Sequence, residues 1–258
     1  MSGLTSLVLH FAAPLPDIES FQRVLFIGPH PDDIEIGAGA TAAKLAAAGK
    51  AVTFLICTDG RYGAANAPKG LSPYELAALR KQEALNSAKV LGVDDVRFLE
   101  LSDGGFYREE ELVRGMARVI GEVKPELIFA PDPCVSSECH TDHLRVGRAV
   151  CQLACFAPYA GIMEQYGASP APVKALALYM TAKPNRYVKT SAFFATQQEA
   201  LFGCHKSQYP PDASDTRALR AYLKLRAVDF GLRSLTGCAE GFRVLGSTHM
   251  HCLPEAGR

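Results

Sequence analysis

Short apolar runs closed by glycine or proline constrain this chain more than any other feature. Residues 24–27 (VLFI) stop at Gly28-Pro29, residues 51–57 (AVTFLIC) stop at Asp59-Gly60, and residues 127–130 (LIFA) stop at Pro131. Such runs are too short for helices and too apolar for half-exposed strands, so each reads as a strand buried on both faces. Between them the period changes. Residues 34–48 are alanine-rich, with Ile36 and Leu45 at helical spacing and Gly49 as a stop signal. The chain therefore opens β-α-β, the spacing of a right-handed crossover.

The alternation continues. Ser72 is an N-cap with Pro73 at the first helical position and Glu75 at the capping-box position, which predicts a helix to about residue 91. Strands follow at 96–101, 127–130 and 175–180. Helices follow at 109–123 (ended by Pro125), 144–156, 196–206 and 216–234. This order predicts an α/β fold: a three-layer α/β/α sandwich around a mostly parallel, Rossmann-like sheet. The 258 residues suit one domain spanning 1–258, its core at about 22–245. Residues 1–20 read as a lead-in, and 59–71 and 158–173 as long loops of the kind that bind ligands or cover sites.

Composition narrows the partners. Lys+Arg and Asp+Glu both number 27. Without a basic surplus, nucleic acid and anionic membrane surfaces are not expected partners. The eight cysteines include no CxxC pair and lie mostly in apolar runs, so they are expected to be reduced, buried thiols. The first residues carry no positive n-region and no run of about 18 apolar residues occurs. The expectation is a cytoplasmic protein with no membrane span.

The chemistry lies at two strand ends. Strand one runs into His30-Pro31-Asp32-Asp33-Ile34-Glu35. Strand four is followed by Pro131-Asp132-Pro133 and then by His140-Thr141-Asp142-His143. In a doubly wound sheet both loops sit at the carboxyl edge, where ligands bind. Imidazoles and carboxylates from separate segments are then expected at one site, a ligand set for zinc or another first-row divalent metal such as Fe2+. Two adjacent aspartates point in different directions, so one can bind a metal while the other reaches its water. Alone, each motif also fits a Pro-containing turn or a capped helix start. Together, at two strand ends of one chain, they are far harder to assign to chance.

HPDDIE with HTDH resembles the PIG-L, or LmbE-like, family of zinc-dependent deacetylases. CTDG at 57–60, LSDG at 101–104, CHKSQ at 204–208 and AEGF at 239–242 extend the resemblance. It implies His30, Asp33 and His143 as metal ligands, Asp32 as the general base toward metal-bound water, and His140 as the group that stabilises the tetrahedral intermediate and protonates the leaving amine. Glu35 and Asp142 become residues that orient the ligands, with helix capping as their other reading. The family acts mostly on N-acetylglucosamine units, so the implied partner is a small N-acetylated sugar or glycoconjugate. Members often assemble, which makes a homo-oligomer plausible. Pro29, Thr141 and the lack of a tyrosine just before His140 depart from the common pattern.

For substrate, Arg61 and Asp103 are the candidates, since both lie at the same sheet edge; a loop-stabilising pair is the plainer alternative. Tyr62 either stacks on a ring or packs its loop. Cys139 reads as a bystander thiol, His205 as a satisfied buried histidine, and His249 and His251 as solvated. Two other functions stay open. One is a metal-dependent amidase for a non-sugar N-acyl substrate. The other is a nucleotide-binding oxidoreductase, because Gly37-Ala38-Gly39-Ala40-Thr41-Ala42 fits a dinucleotide fingerprint. Those glycines, however, fall inside the first helix rather than in the turn before it, where pyrophosphate binds.

Overall fold

The computed structural model describes residues 11–251 and Leu253, so the expectations for the first ten residues and for Cys252 lie outside the described residues. Strand β1 (Arg23–Gly28) leads through α1 (Asp33–Ala47) into β2 (Ala51–Thr58). Then come α2 (Pro73–Val90), β3 (Asp95–Leu101), α3 (Glu109–Val123), β4 (Leu127–Pro131) and α4 (Thr141–Phe156). A short α5 (Ala160–Gln165) precedes β5 (Ala175–Tyr179) and β6 (Arg186–Lys189). The chain ends with α6 (Phe194–Glu199), α7 (Ser214–Arg233), β7 (Ala239–Gly246) and α8 (Ser247–His251). The sheet order is β3-β2-β1-β4-β5-β7-β6. The first five strands run parallel, while β7 pairs antiparallel with both β5 and β6.

The pattern of β1 explains the layering. Leu25 and Ile27 face one cluster, with Leu55, Ile128 and residues of α3 and α4 such as Met116 and Leu153. Val24 and Phe26 face the other, with Phe54, Phe129 and the α1 residues Ile34, Ala38 and Leu45. Phe26 stacks on Phe129, ring centroids 4.2 Å apart. Burial of a side chain of this size contributes about 1.5–3 kcal/mol, and one strand supplies it on both faces.

The predicted punctuation is realised. The Ser72 side chain accepts from the Glu75 N–H while Glu75 accepts from the Ser72 N–H, a complete capping box beside Pro73. Gly49 closes α1 with φ +74°. Gly37 lets α1 lie directly on the sheet: a Cβ there would come within 2.2 Å of the Tyr179 ring. Within the fingerprint-like stretch Gly37 thus serves helix–sheet packing, and Gly39 lies against Gln197 of α6.

Three expectations change. Helix α4 begins at Thr141, so HTDH is its first turn rather than a loop before it. Residues 158–173 contain α5. Strands β6 and β7 were not expected, because β7 carries Glu240 and Arg243 in a buried strand.

Candidate metal centre

Strand β1 delivers the HPDD turn and α4 delivers the HTDH turn, and β1 pairs with β4 in register. The two turns therefore meet at the carboxyl edge, where β1 lies between β2 and β4. His30, Asp33 and His143 offer one ligand atom each, all within 4.8 Å of one another. His30 Nδ1 is 3.0 Å from Asp33 Oδ2, and His143 Nε2 is 3.3 Å from Asp33 Oδ1. His30 and Asp33 are buried and His143 is nearly so.

Asp142 lies behind His30. Its Oδ2 is 3.1 Å from His30 Nε2 and accepts from the Gly104 N–H at 2.7 Å, while Oδ1 accepts from the Gly105 N–H at 2.9 Å. One imidazole is thus held between two buried carboxylates. A neutral His30 donating to Asp142 through Nε2 would turn a bare lone pair on Nδ1 toward the Asp33 carboxylate. The arrangement therefore requires a cation at Nδ1, either a proton or a metal ion. Burial alone would lower the His30 pKa, but hydrogen bonds to Asp142 and Asp33 push it up to about 10. Burial would raise Asp142, but His30 and the Gly104 N–H hold it down at about 2. Asp33, also penalised by burial, is held well below the usual carboxylate range by His143 and His30. A carboxylate orienting a histidine whose other nitrogen faces a carboxylate and a second histidine is the donor chemistry of a divalent-metal site, so the residues fit the ion.

Asp32 points elsewhere, as adjacent aspartates were expected to do. Its Oδ2 accepts from Tyr209 Oη at 2.9 Å and lies 3.2 Å from Arg80 Nη2. Among the described residues, Oδ1 has no such partner. Arg80 is itself buried and donates to the Gly60 carbonyl. His140 caps α4: its Nδ1 accepts from the Asp142 N–H at 3.3 Å, which leaves Nε2 free. Its ring sits edge-on to His30 at 4.6 Å, and its side chain is about half exposed (48%). Partial burial and the neighbouring His30 and His143 charges lower its pKa.

The remaining expected residues are spread out. Asp103 is buried at the end of β3 and accepts the Tyr62 N–H with both oxygens at 3.2 Å; burial raises its pKa. Arg61 is tied to Asp59 in a bidentate pair, and its guanidinium lies 4.9 Å from the Tyr74 ring centre. It lines a cavity of about 390 Å3 with Pro31 of the HPDD turn, Tyr74, Lys81 and Phe98. The Glu35 carboxylate bonds Ser87 Oγ and lies 3.3 Å from His205 Nε2, so it braces α1 against α2 and the 204–208 turn rather than touching the ligand atoms. His205 is fully buried in that role. Cys139 is exposed, with its Sγ donating to the Ser137 carbonyl, and is not part of the His30–Asp33–His143 donor set. His249 is not simply solvated: Nδ1 accepts from the Gly246 N–H, and Nε2 is 3.1 Å from the Ala13 carbonyl.

Asp132, in the turn that closes β4, is not among the clustered donor atoms. Arg243 takes it with two hydrogen bonds, at 2.7 and 3.0 Å, and Thr181 Oγ1 adds a third at 2.6 Å. Three neighbours of the site escaped the sequence reading: Arg80, Tyr209 and Glu138, whose Oε2 is 3.1 Å from His143 Nδ1. Arg80 has the pattern of an ordinary helical surface residue. Tyr209 directly follows the CHKSQ stretch, which was the available signal.

Fold and site together define a Rossmann-like α/β protein with a His/Asp cation site at its carboxyl edge. The chain belongs to the PIG-L family, described as GlcNAc-PI de-N-acetylase, whose match covers residues 25–154. It is 31% identical over 256 residues to the diacetylchitobiose deacetylase of Thermococcus kodakarensis, covering 98% of this chain and 93% of that one. It is 32% identical over 206 residues to a 1D-myo-inositol 2-acetamido-2-deoxy-alpha-D-glucopyranoside deacetylase of Kineococcus radiotolerans, covering 69% of this chain and 56% of the relative. Among solved structures, the N,N'-diacetylchitobiose deacetylase of Pyrococcus horikoshii superposes with a TM-score of 0.86 at 29% identity, covering 98% and 97% of the two chains. Among the described residues no helix is long and apolar enough to cross a membrane.

Proposed function

We propose that this protein is a metal-dependent N-deacetylase that hydrolyses the acetamide of an N-acetylglucosamine-type sugar, releasing acetate and a free amine. The observation that carries the reading is the His30–Asp33–His143 donor set with Asp142 behind it and Asp32 beside it. The named relatives, two deacetylases of acetamido sugars, support the substrate class. Zinc is the ion proposed, held by His30, Asp33 and His143. When bound, it supplies a Lewis acid that polarises the acyl oxygen and makes water a nucleophile near neutral pH.

The chain's own residues supply the rest. Asp32 is fixed through Oδ2 by Tyr209 and Arg80, and its Oδ1 takes the proton from the attacking water. His140 Nδ1 accepts from the Asp142 N–H, so the neutral ring carries its proton on Nε2, which hydrogen-bonds the developing oxyanion, and the proton that Asp32 has taken passes to the departing nitrogen. Asp103 is the sugar-hydroxyl acceptor at the end of β3, and Arg61 contributes from the loop after β2. The domain is read as a single catalytic unit in the cytoplasm, without a nucleic-acid or membrane partner.

The test is acetate release by zinc-loaded protein from N-acetylated sugars and from non-sugar N-acyl amines. Release from the sugars, lost on chelation and restored by zinc, is the expected result. Release only from non-sugar amides overturns the substrate class. No release from any amide overturns the activity.

A further inference from the structure

Two aromatic side chains stand in solvent on loops tied to the metal centre, and neither belongs to a hydrophobic core cluster of the described residues. Tyr62 is 54% exposed and Phe106 is 75% exposed. Their rings meet edge-to-face at 5.9 Å with an interplanar angle of 80°. Each lies on a different loop, after β2 and after β3, and both loops are pinned to the site. The Tyr62 N–H is held by both oxygens of Asp103. The Phe106 ring sits over Gly104, where a Cβ would lie 3.2 Å from it, and the Gly104 N–H is bound to the Asp142 oxygen that also faces His30. Gly104 and Gly105 have φ of +76° and +79°, so the turn that presents Phe106 depends on glycine. The Phe106 turn is therefore held by the same Asp142 that faces His30, and the Tyr62 loop by Asp103 on the turn beside it.

We infer that Tyr62 and Phe106 form a stacking platform for the sugar ring next to the one being deacetylated, so that a disaccharide or other glycoside is preferred over the free monosaccharide. This rests on the deacetylase reading above. A pyranose presents a flat face of C–H groups, which an exposed aromatic ring covers well, while its hydroxyls stay in water. In the T-shaped pair each ring keeps at least one face that the other does not cover. Asp103, joined to Tyr62 through the backbone, would take a hydroxyl of the reacting sugar, leaving the aromatic pair for the neighbouring ring.

The experiment compares kcat/KM for N,N'-diacetylchitobiose and for N-acetylglucosamine in zinc-loaded wild type, Phe106→Ala, Tyr62→Ala and Phe106→Tyr. The ratio of the two is expected to fall about three- to tenfold in each alanine variant, mainly through KM for the disaccharide, and to be kept in Phe106→Tyr. Saturation-transfer NMR with metal-free protein reads the same contact without turnover: transfer is expected to both sugar rings in wild type and to one ring in Phe106→Ala. An unchanged ratio in both alanine variants overturns the platform. So does an equal loss on both sugars, which is the result if the rings instead contact a second copy of the chain. Wild type that releases acetate from neither sugar overturns the deacetylase reading itself, which the other outcomes leave standing.

Discussion

Two Pro-Asp turns leave neighbouring strands at the same edge of the sheet, and they solve the burial of a carboxylate in opposite ways. At the end of β4, Asp132 is fully matched: Arg243 binds it with two hydrogen bonds, Thr181 donates to it, and the Cys134 N–H completes the set. At the end of β1, Asp33 and Asp142 face each other across His30, and among the described residues no buried arginine or lysine joins them. The first cluster carries its own cation and is structural. The second lacks one and must recruit a proton or a metal. A buried acid is thus informative only once its counter-charge has been found. The Arg80 pairing shows the intermediate case, where Asp32 has an internal cation on one oxygen and keeps the other free.

The comparison breaks most sharply at Asp33. Asp33→Ala is expected to abolish zinc binding, read by metal analysis after gel filtration, and to lower acetate release by at least about 10^3-fold, the several kcal/mol a Lewis acid contributes. Retained zinc at one equivalent would move the ion to a different donor set. Asp32→Ala comes next, with zinc content unchanged and kcat down about 10^2- to 10^4-fold, as for loss of a general base. Full turnover in that variant would remove Asp32 from the mechanism.

Asp132→Ala tests the other half. It leaves the Arg243 charge buried without its partner, which costs about 3–5 kcal/mol of stability in denaturant titration. Zinc stoichiometry is expected to be unchanged. Zinc loss with unaltered stability would mean that the two turns are one site after all.

How much of this was readable beforehand follows from the same physics. Strands β1, β2 and β4 were legible because their apolar runs are local signals, cut by Gly28, Asp59-Gly60 and Pro131. Strand β7 was not, because Glu240 and Arg243 argue against a buried strand until their partners are known. Those partners are the Ala40 and Thr41 N–H groups and Asp132, which lie far away in the chain. The candidate ligands stood out because HPDD and HTDH fall at two strand ends of one chain and together resemble the family pattern, whereas each alone also fits a turn or a helix cap. The residues alone could not separate Asp132 from Asp33, since both lie in a Pro-Asp turn at a strand end and only tertiary contacts distinguish them; the resemblance alone singled out Asp33. Arg80 was hidden in the same way, as one cation among many on an outwardly ordinary helix.

The smallest expected effect sharpens the comparison furthest, because it probes the missing cation directly. Burial works against a charged His30, but Asp142 and Asp33 push its pKa up to about 10, above the ordinary value of 6.5. In the metal-free protein its stabilising contribution is therefore complete below about 6.5 and is lost as pH rises through about 10. A metal ion must displace that proton, so zinc affinity is expected to rise with pH, by about tenfold per unit for each proton released. Asp142→Asn removes one of the two carboxylates. At high pH, where His30 is already deprotonated, the variant should bind zinc about 10- to 100-fold more weakly, because the ligand has lost its orienting partner. At lower pH the gap should narrow, because His30 in the variant gives up its proton more readily. Zinc competition with a chromophoric chelator across this range distinguishes the cases. Converging affinity curves identify Asp142 as the group that holds the proton in place of the metal, while parallel curves would reduce it to a cap on the Gly104 and Gly105 turn.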